Sequence, residues 1–140
     1  MKCNMANKGY IAFDTAVIGA GAAGFMAAIT AARNGRSVAI IEHKDRPGKK
    51  ILATGNGKCN FTNERMGTEY FRGDKRLIET SLGKFTERDT IEFLNGIGVA
   101  AKNKNGYYYP HSESAASVLK ALEMEAKRLG IRVYTSVEIL

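Results

Sequence analysis

The run Gly19-Ala20-Gly21-Ala22-Ala23-Gly24 places three glycines at the spacing G-x-G-x-x-G. Each glycine answers a separate demand of a phosphate site at a strand-to-helix turn. Gly19 permits the tight exit from a strand. Gly21 has no side chain, so a pyrophosphate can approach the backbone, and Gly24 allows a helix to pack closely on the strand. Ala22 and Ala23 open that helix, whose first N–H groups lack intrahelical partners and present partial positive charge to phosphate. Glu42 stands eighteen positions after Gly24. A carboxylate there accepts hydrogen bonds from a ribose diol and repels a 2′-phosphate, which disfavours NADP at this site. His43 follows, placed either to line the adenine side or to face solvent. The pattern specifies a dinucleotide and does not by itself separate FAD from NAD. A glycine-rich turn in some other α/β protein is the alternative, and the full order of strand, glycines, helix, strand and acid counts against it.

A second glycine run, Thr54-Gly55-Asn56-Gly57-Lys58-Cys59-Asn60, ends its glycines in Gly-Lys. It fails as a P-loop. Leu52 stands where the first P-loop glycine belongs, and Cys59 follows the lysine in place of Ser or Thr. Backbone amides in such a loop can still approach a planar or anionic ligand closely, and a solvated surface loop is the competing account. Other reactive side chains are isolated. Cys59 has no C-x-x-C partner, which argues against a redox pair. His111 follows Pro110 and reads as structural or as lying near a cofactor. Tyr107, Tyr108 and Tyr109 could stack on a ring or form a packed strand with one wet edge. No acid–base pair is assignable to a substrate.

The elements that must position these groups follow from apolar patterning. Asp14–Gly19 and Ser37–Glu42 read as buried strands flanking a helix over Ala22–Asn34 that Gly35 stops. A strand, helix, strand unit implies a parallel pair with a right-handed crossover. Arg46–Asn63 reads as a glycine-rich basic loop. Asp74–Leu82 is a weak helix, and Thr86 caps another over Glu87–Asn95 that Gly96 and Gly98 end. Asn103–Pro110 reads as a turn and a short strand. Ser112 or Ser114 caps a long helix to Leu129, closed by Gly130. Ile131–Thr135 is a third strand, and Ser136–Leu140 could begin a fourth. The fold class is α/β: a Rossmann-type domain with a parallel sheet in the order 3-2-1, preceded by a tail over residues 1–13.

The chain has 140 residues, 44% of them hydrophobic, with a formal net charge of +7. That is enough for one domain and its core. The excess charge suits anionic partners. The two cysteines, Cys3 and Cys59, fit neither a metal spacing nor a disulfide framework, so a reducing, cytoplasmic compartment is expected and no metal. Residues 1–9 lack the apolar run of a signal peptide. The most apolar stretch, Thr15–Ala32, is broken by Gly19, Gly21 and Gly24, so no membrane span is expected.

Three segments together resemble the BaiN-like family of FAD-dependent oxidoreductases, which includes aminoacetone-oxidase-type and bile-acid-reductase-like flavoproteins. They are VIGAGAAG with Glu42, PGKKILATGNGKCNFTN, and GYYYPHSESAASVLKAL. The second is long and unusual and is the most specific. The resemblance implies FAD rather than NAD, with the adenosine ribose at Glu42 and the loop from Lys49 to Asn60 running toward the flavin. It carries over Lys49, Lys50, Gly55, Gly57 and Asn60 as cofactor contacts. Tyr107 departs from the family pattern, which often has Arg after the glycine matching Gly106.

The resemblance further implies hydride transfer from a reduced nicotinamide, NAD(P)H, through flavin to a small organic substrate; oxidase chemistry is a close variant. Members of the family are longer, so residues 14–140 are expected to be the N-terminal portion of an incomplete FAD-binding domain, and the chain alone a poor FAD binder. Two other classes compete. One is a non-catalytic dinucleotide-binding module. The other is a basic nucleic-acid binder, drawing on Lys44, Arg46, Lys49, Lys50 and Lys58. No nucleic-acid motif supports it, and those charges lie beside a phosphate site, so no nucleic-acid partner is expected.

Overall fold

The computed structural model describes residues 10–139. Strand β1 (Thr15–Ile18), helix α1 (Ala22–Arg33) and strand β2 (Val38–Ile41) form the expected crossover unit. β1 and β2 pair in parallel with Thr15 opposite Val38 and Ile18 opposite Ile41. Asn34 ends α1, and Gly35 leaves it at φ +77°. At the foot of the pair, the Asp14 carboxylate accepts both the backbone N–H and the hydroxyl of Ser37, at 2.8 and 2.7 Å.

The segment expected to be a plain loop carries structure. It holds a short helix α2 (Lys49–Ala53), a tight turn over Thr54–Gly57, and strand β3 (Thr62–Asn63). Helix α3 (Lys75–Lys84) follows, capped by Asp74, whose carboxylate accepts the Leu77 N–H at 3.0 Å. Helix α4 (Glu87–Gly96) opens with a full capping box: Thr86 and Asp89 each accept the other's backbone N–H. Such a reciprocal cap satisfies two otherwise orphaned donors.

Asn103–Pro110 proves to be most of a hairpin, β4 (Ala101–Lys104) and β5 (Tyr107–Pro110). The two strands turn at Asn105 and Gly106, both at positive φ (+52° and +88°). Successive left-handed residues suit the tight hairpin turn that an Asn-Gly pair favours. β3 joins β5 on its other side, so a second, antiparallel sheet exists in the order β3-β5-β4.

Helix α5 (Ala115–Arg128) starts at Ser114, whose side chain makes no capping bond. Its apolar stripe buries Val118, Leu122 and Ala126 against Phe25, Ile29 and Ile40. Full burial of side chains such as Phe25 and Ile29 contributes about 1.5–3 kcal/mol each. Glu125, 8% exposed, accepts from Arg33 and Arg128, each at 2.7 Å, and so ties α5 to α1. The Arg33 guanidinium also lies 5.2 Å from the Phe93 ring centre on α4.

Strand β6 (Arg132–Tyr134) pairs in parallel with β2, giving the order β1-β2-β6. This is the predicted 3-2-1 arrangement. No strand forms over residues 136–139. Ser136 and Val137 instead donate to the carbonyls of Lys44 and Glu42 at 2.8 and 3.1 Å, and Ser136 sits at φ +57°, which breaks an extended run. Of the expected tail, residues 1–9 lie outside the described residues. Phe13 packs edge-on against Tyr134 with ring centres 6.3 Å apart. Among the described residues no helix is long and apolar enough to cross a membrane.

Candidate nucleotide site

Parallel pairing carries β1 and β2 to the same end of the sheet, and the turn after β1 is built there. Gly19 at φ +95° donates its N–H to the Ile41 carbonyl at 2.7 Å, so the turn stays registered on β2. The chain then enters α1 through Gly21, with no side-chain cap and no acid in the first turn. The amides of the first turn therefore face an open cleft with no acid of the helix itself beside them.

Glu42 closes the cleft from β2. One carboxylate oxygen accepts the Ala20 N–H at 2.7 Å, and the other accepts the Lys44 N–H at 2.8 Å. Those two bonds, from Lys44 and Ala20, hold its carboxyl below the ordinary carboxylate range. The acid thus stays ionised while bracing the glycine turn. His43 is exposed, with Nδ1 3.2 Å from the same carboxylate. On the far wall, Gly48 donates its N–H to the Ala20 carbonyl at 2.8 Å. Ala20 is therefore held through both its amide and its carbonyl.

The resulting cleft measures about 690 Å³ and brings together Gly19, Gly21, Ala22, Ala23, Glu42, His43, Lys49 and Lys50. It also recruits Ala20, Lys44, Arg46 and Gly48, which the fingerprint did not single out. Lys44 and Arg46 were visible as part of a basic run. Gly48 had a signal too, a glycine before a lysine pair; it sits at φ +72°, and a Cβ there would strike the Leu119 side chain at 2.3 Å. Lys49 pairs with Asp45. Lys50 is exposed and makes no ion pair among the described residues.

Gly24 lies behind the cleft rather than in it. A Cβ at Gly24 would fall 1.9 Å from the Gly19 carbonyl oxygen, so this glycine exists for close helix–strand packing. A Cβ at Gly21 would meet nothing within 4 Å and would project into open space. That contrast fits a dinucleotide: the cradle is empty where a pyrophosphate would rest and tight where the fold must close. Gly19, Gly21, Ala22 and Ala23 would hold the diphosphate, and Glu42 the ribose.

Gly55, Gly57 and Asn60 do not line this cleft. Gly55, Asn56 and Gly57 run at φ +55°, +53° and +80°, a tight left-handed turn. The Asn60 amide donates to the carbonyls of Thr62 and Tyr108 at 3.0 and 2.9 Å, which binds the loop to the second sheet. Lys58 approaches Glu113, which also accepts from Lys102 and Lys104 at 2.8 and 2.7 Å. Cys59 is buried, and that burial pushes its thiol up. Among the described residues no cluster of His, Cys, Asp or Glu could hold a metal ion.

Comparison with known proteins places this architecture. Residues 13–140 match the family model described as the HI0933-like protein Rossmann domain. Over 126 residues the chain is 46% identical to the 3-dehydro-bile acid delta(4,6)-reductase of Clostridium scindens, covering 88% of this chain and 31% of that protein. It is 33% identical to the ribosomal RNA dihydrouridine synthase of Escherichia coli, covering 91% of this chain and 32% of the relative. The chain therefore spans about a third of the length of these curated relatives. Among solved structures, the 3-ketosteroid-delta4-(5alpha)-dehydrogenase of Rhodococcus jostii RHA1 superposes with a TM-score of 0.66 at 19% identity, over 95% of this chain and 39% of that one. A likeness at that identity concerns the fold alone. With its glycine turn, the acid Glu42 beside it and its three-stranded parallel sheet, the chain belongs to the HI0933-like (BaiN-like) family of Rossmann FAD domains.

Proposed function

We propose that this chain supplies the adenine-dinucleotide half of the FAD site in a reductase that adds hydride to a carbon–carbon double bond conjugated with a carbonyl. The observation that carries the nucleotide half is the ionised Glu42 bonded to the Ala20 N–H beside an open Gly21. Glu42 fixes the turn that would receive the diphosphate and keeps lone pairs for a ribose diol. Lys50 and Arg46 add positive charge at the mouth. Bound FAD supplies the hydride chemistry, which the protein only positions and tunes.

The reaction class draws on the names of the relatives. A 3-oxo steroid with a Δ4 double bond and a uracil ring both present an alkene conjugated to a carbonyl. The shared chemistry is hydride addition at the β carbon, with NAD(P)H as the proposed donor. The higher identity to the bile acid reductase favours a small apolar enone as substrate, without nucleic acid or membrane as partner. An RNA uridine is the second reading, favoured by the dihydrouridine synthase relatives. The proposed compartment is the cytoplasm, in keeping with a buried free thiol at Cys59.

The test is a titration of the purified chain with FAD, read by flavin fluorescence. Saturable quenching, lost in Gly21→Val, supports the site. Absence of binding both here and in a polypeptide of the relatives' full length overturns it. With that longer protein, NADH-dependent reduction of a steroid enone or of uridine in RNA decides between the two substrates.

A further inference from the structure

Gly48, on the far wall of the nucleotide cleft, spends its two backbone groups on different partners. Its N–H donates to the Ala20 carbonyl at 2.8 Å, and its carbonyl accepts the Leu52 N–H at 3.1 Å. The first bond holds the glycine turn and the second opens α2. Ala20 is 1% exposed, so its carbonyl has no water to turn to and needs a partner within the protein. A trans peptide is planar, with its carbonyl and its N–H on opposite sides. The Ala20 carbonyl is turned onto Gly48, so the N–H of the same peptide, that of Gly21, is turned away from it. Gly21 lines the cleft, and among the described residues its N–H has no hydrogen-bond partner.

Position 48 is closed to a side chain for two separate reasons. Its φ of +72° is left-handed, which favours glycine. A Cβ would also fall 2.3, 2.6 and 2.9 Å from Cδ1, Cδ2 and Cγ of Leu119 on α5. Leu119 is 8% exposed and shares a core with Ile51 of α2 and Leu122 of α5, so it is held by its neighbours. A methyl at position 48 therefore displaces the backbone that carries the bond to Ala20. We infer that Gly48 is a positioning residue of the nucleotide site. Its amide keeps the Ala20 carbonyl withdrawn from the phosphates and leaves the Gly21 N–H to donate to them, while Leu119 fixes where that amide stands. A released Ala20 carbonyl would be free to face the diphosphate with its partial negative charge, and the Gly21 donor would turn with it. The inference rests on the proposed nucleotide site and adds a lever to it: α5 contributes no residue to the lining of the cleft, yet it sets the geometry of a phosphate donor.

ADP, which carries the ribose and the diphosphate without the flavin, is the probe, titrated by calorimetry. Gly48→Ala raises the ADP Kd about tenfold or more, the size of one lost hydrogen bond to a charged group. Adding Leu119→Ala to it makes room for the methyl and restores most of the lost affinity. Leu119→Ala alone lowers the Tm by leaving a cavity, yet keeps the parent Kd, so affinity does not simply follow stability. If Gly48→Ala fails to fold, Leu119→Phe presses on the same glycine from α5, and amide exchange in the parent chain reads the bond directly. There the Gly48 N–H exchanges slowly with or without ADP, and the Gly21 N–H exchanges fast until ADP is added. A Gly48→Ala chain that binds ADP like the parent, a double variant no better than Gly48→Ala, or a Gly48 N–H that exchanges freely overturns the inference while the nucleotide site stands. Where ADP does not bind the chain, the titrations are repeated on a polypeptide of the relatives' full length. Absence of ADP binding in both removes the nucleotide site, and this inference with it.

Discussion

The Glu42 carboxylate accepts the backbone N–H of Ala20 at 2.7 Å, joining the end of β2 to the middle of the glycine turn. The acid usually assigned to the ribose is therefore also a structural brace. Its other oxygen holds the Lys44 N–H, so this one side chain ties the glycine turn to the segment after β2.

Glu42→Ala should therefore damage stability and binding together. Hydrogen bonds to a charged acceptor are worth about 1.5–3 kcal/mol, so a loss in that range is expected in urea denaturation. FAD affinity should fall as well. Glu42→Gln keeps one acceptor but turns an amide N–H against the other donor, and should lie between the two. A variant that loses affinity with unchanged stability would show that the brace contributes nothing.

The roles of the second and third glycines of the motif separate at Gly21 and Gly24. Gly24→Ala drives a methyl into the Gly19 carbonyl. Overpacking of that kind costs about 1–3 kcal/mol, read as a lowered denaturation midpoint. Gly21→Ala meets open space and has an extended backbone that any residue adopts. It should fold with parent stability and bind FAD more weakly. Equal destabilisation by both substitutions would remove the distinction.

The legible parts of the sequence were those whose signal is local. The β1, α1 and β2 unit announces itself through glycine spacing and two short apolar runs, and the Thr86 cap through residue type alone. The brace from Glu42 to Ala20 has no such signature, because it spans 22 positions and uses a backbone N–H. Helix α2 was hidden because five residues, KKILA, are too few to display a helical period. The second sheet was half visible. Asn105-Gly106 is a strong hairpin signal, but β4 reads Ala-Lys-Asn-Lys and lacks the alternation that marks a strand. β3 is two residues long and exists only because β5 is there to pair with it.

Acid should weaken the fold through Glu125. Its pKa is held at about 2, against an ordinary 4.5, chiefly by the Arg128 guanidinium and then by Arg33, with burial opposing. A carboxyl depressed in the folded state binds protons more readily when unfolded. Its stabilising contribution is therefore complete above pH 4.5 and is lost as the pH falls toward 2. Glu125→Gln should flatten the stability profile across that window and cost about 1.5–3 kcal/mol at pH 7. Glu113, also held at about 2 by Lys102 and Lys104, titrates over the same range, so Glu113→Gln is the necessary companion. An unchanged acid limb in both variants would assign acid sensitivity elsewhere.

The outer edge of the parallel sheet bears on self-association. Among the described residues β1 pairs only with β2, and Ile18 is 65% exposed at its end. Parallel sheets are ordinarily covered on both faces, and an unpaired apolar edge templates further strands. The chain spans 31–32% of its curated relatives, so they have ample further sequence from which to cover such an edge. For the chain as given, sedimentation should show association that grows with concentration. Ile18→Lys places a charge on the edge and should reduce that association while leaving the circular dichroism spectrum unchanged. If the parent chain stays monomeric at high concentration, the edge does not template association in solution.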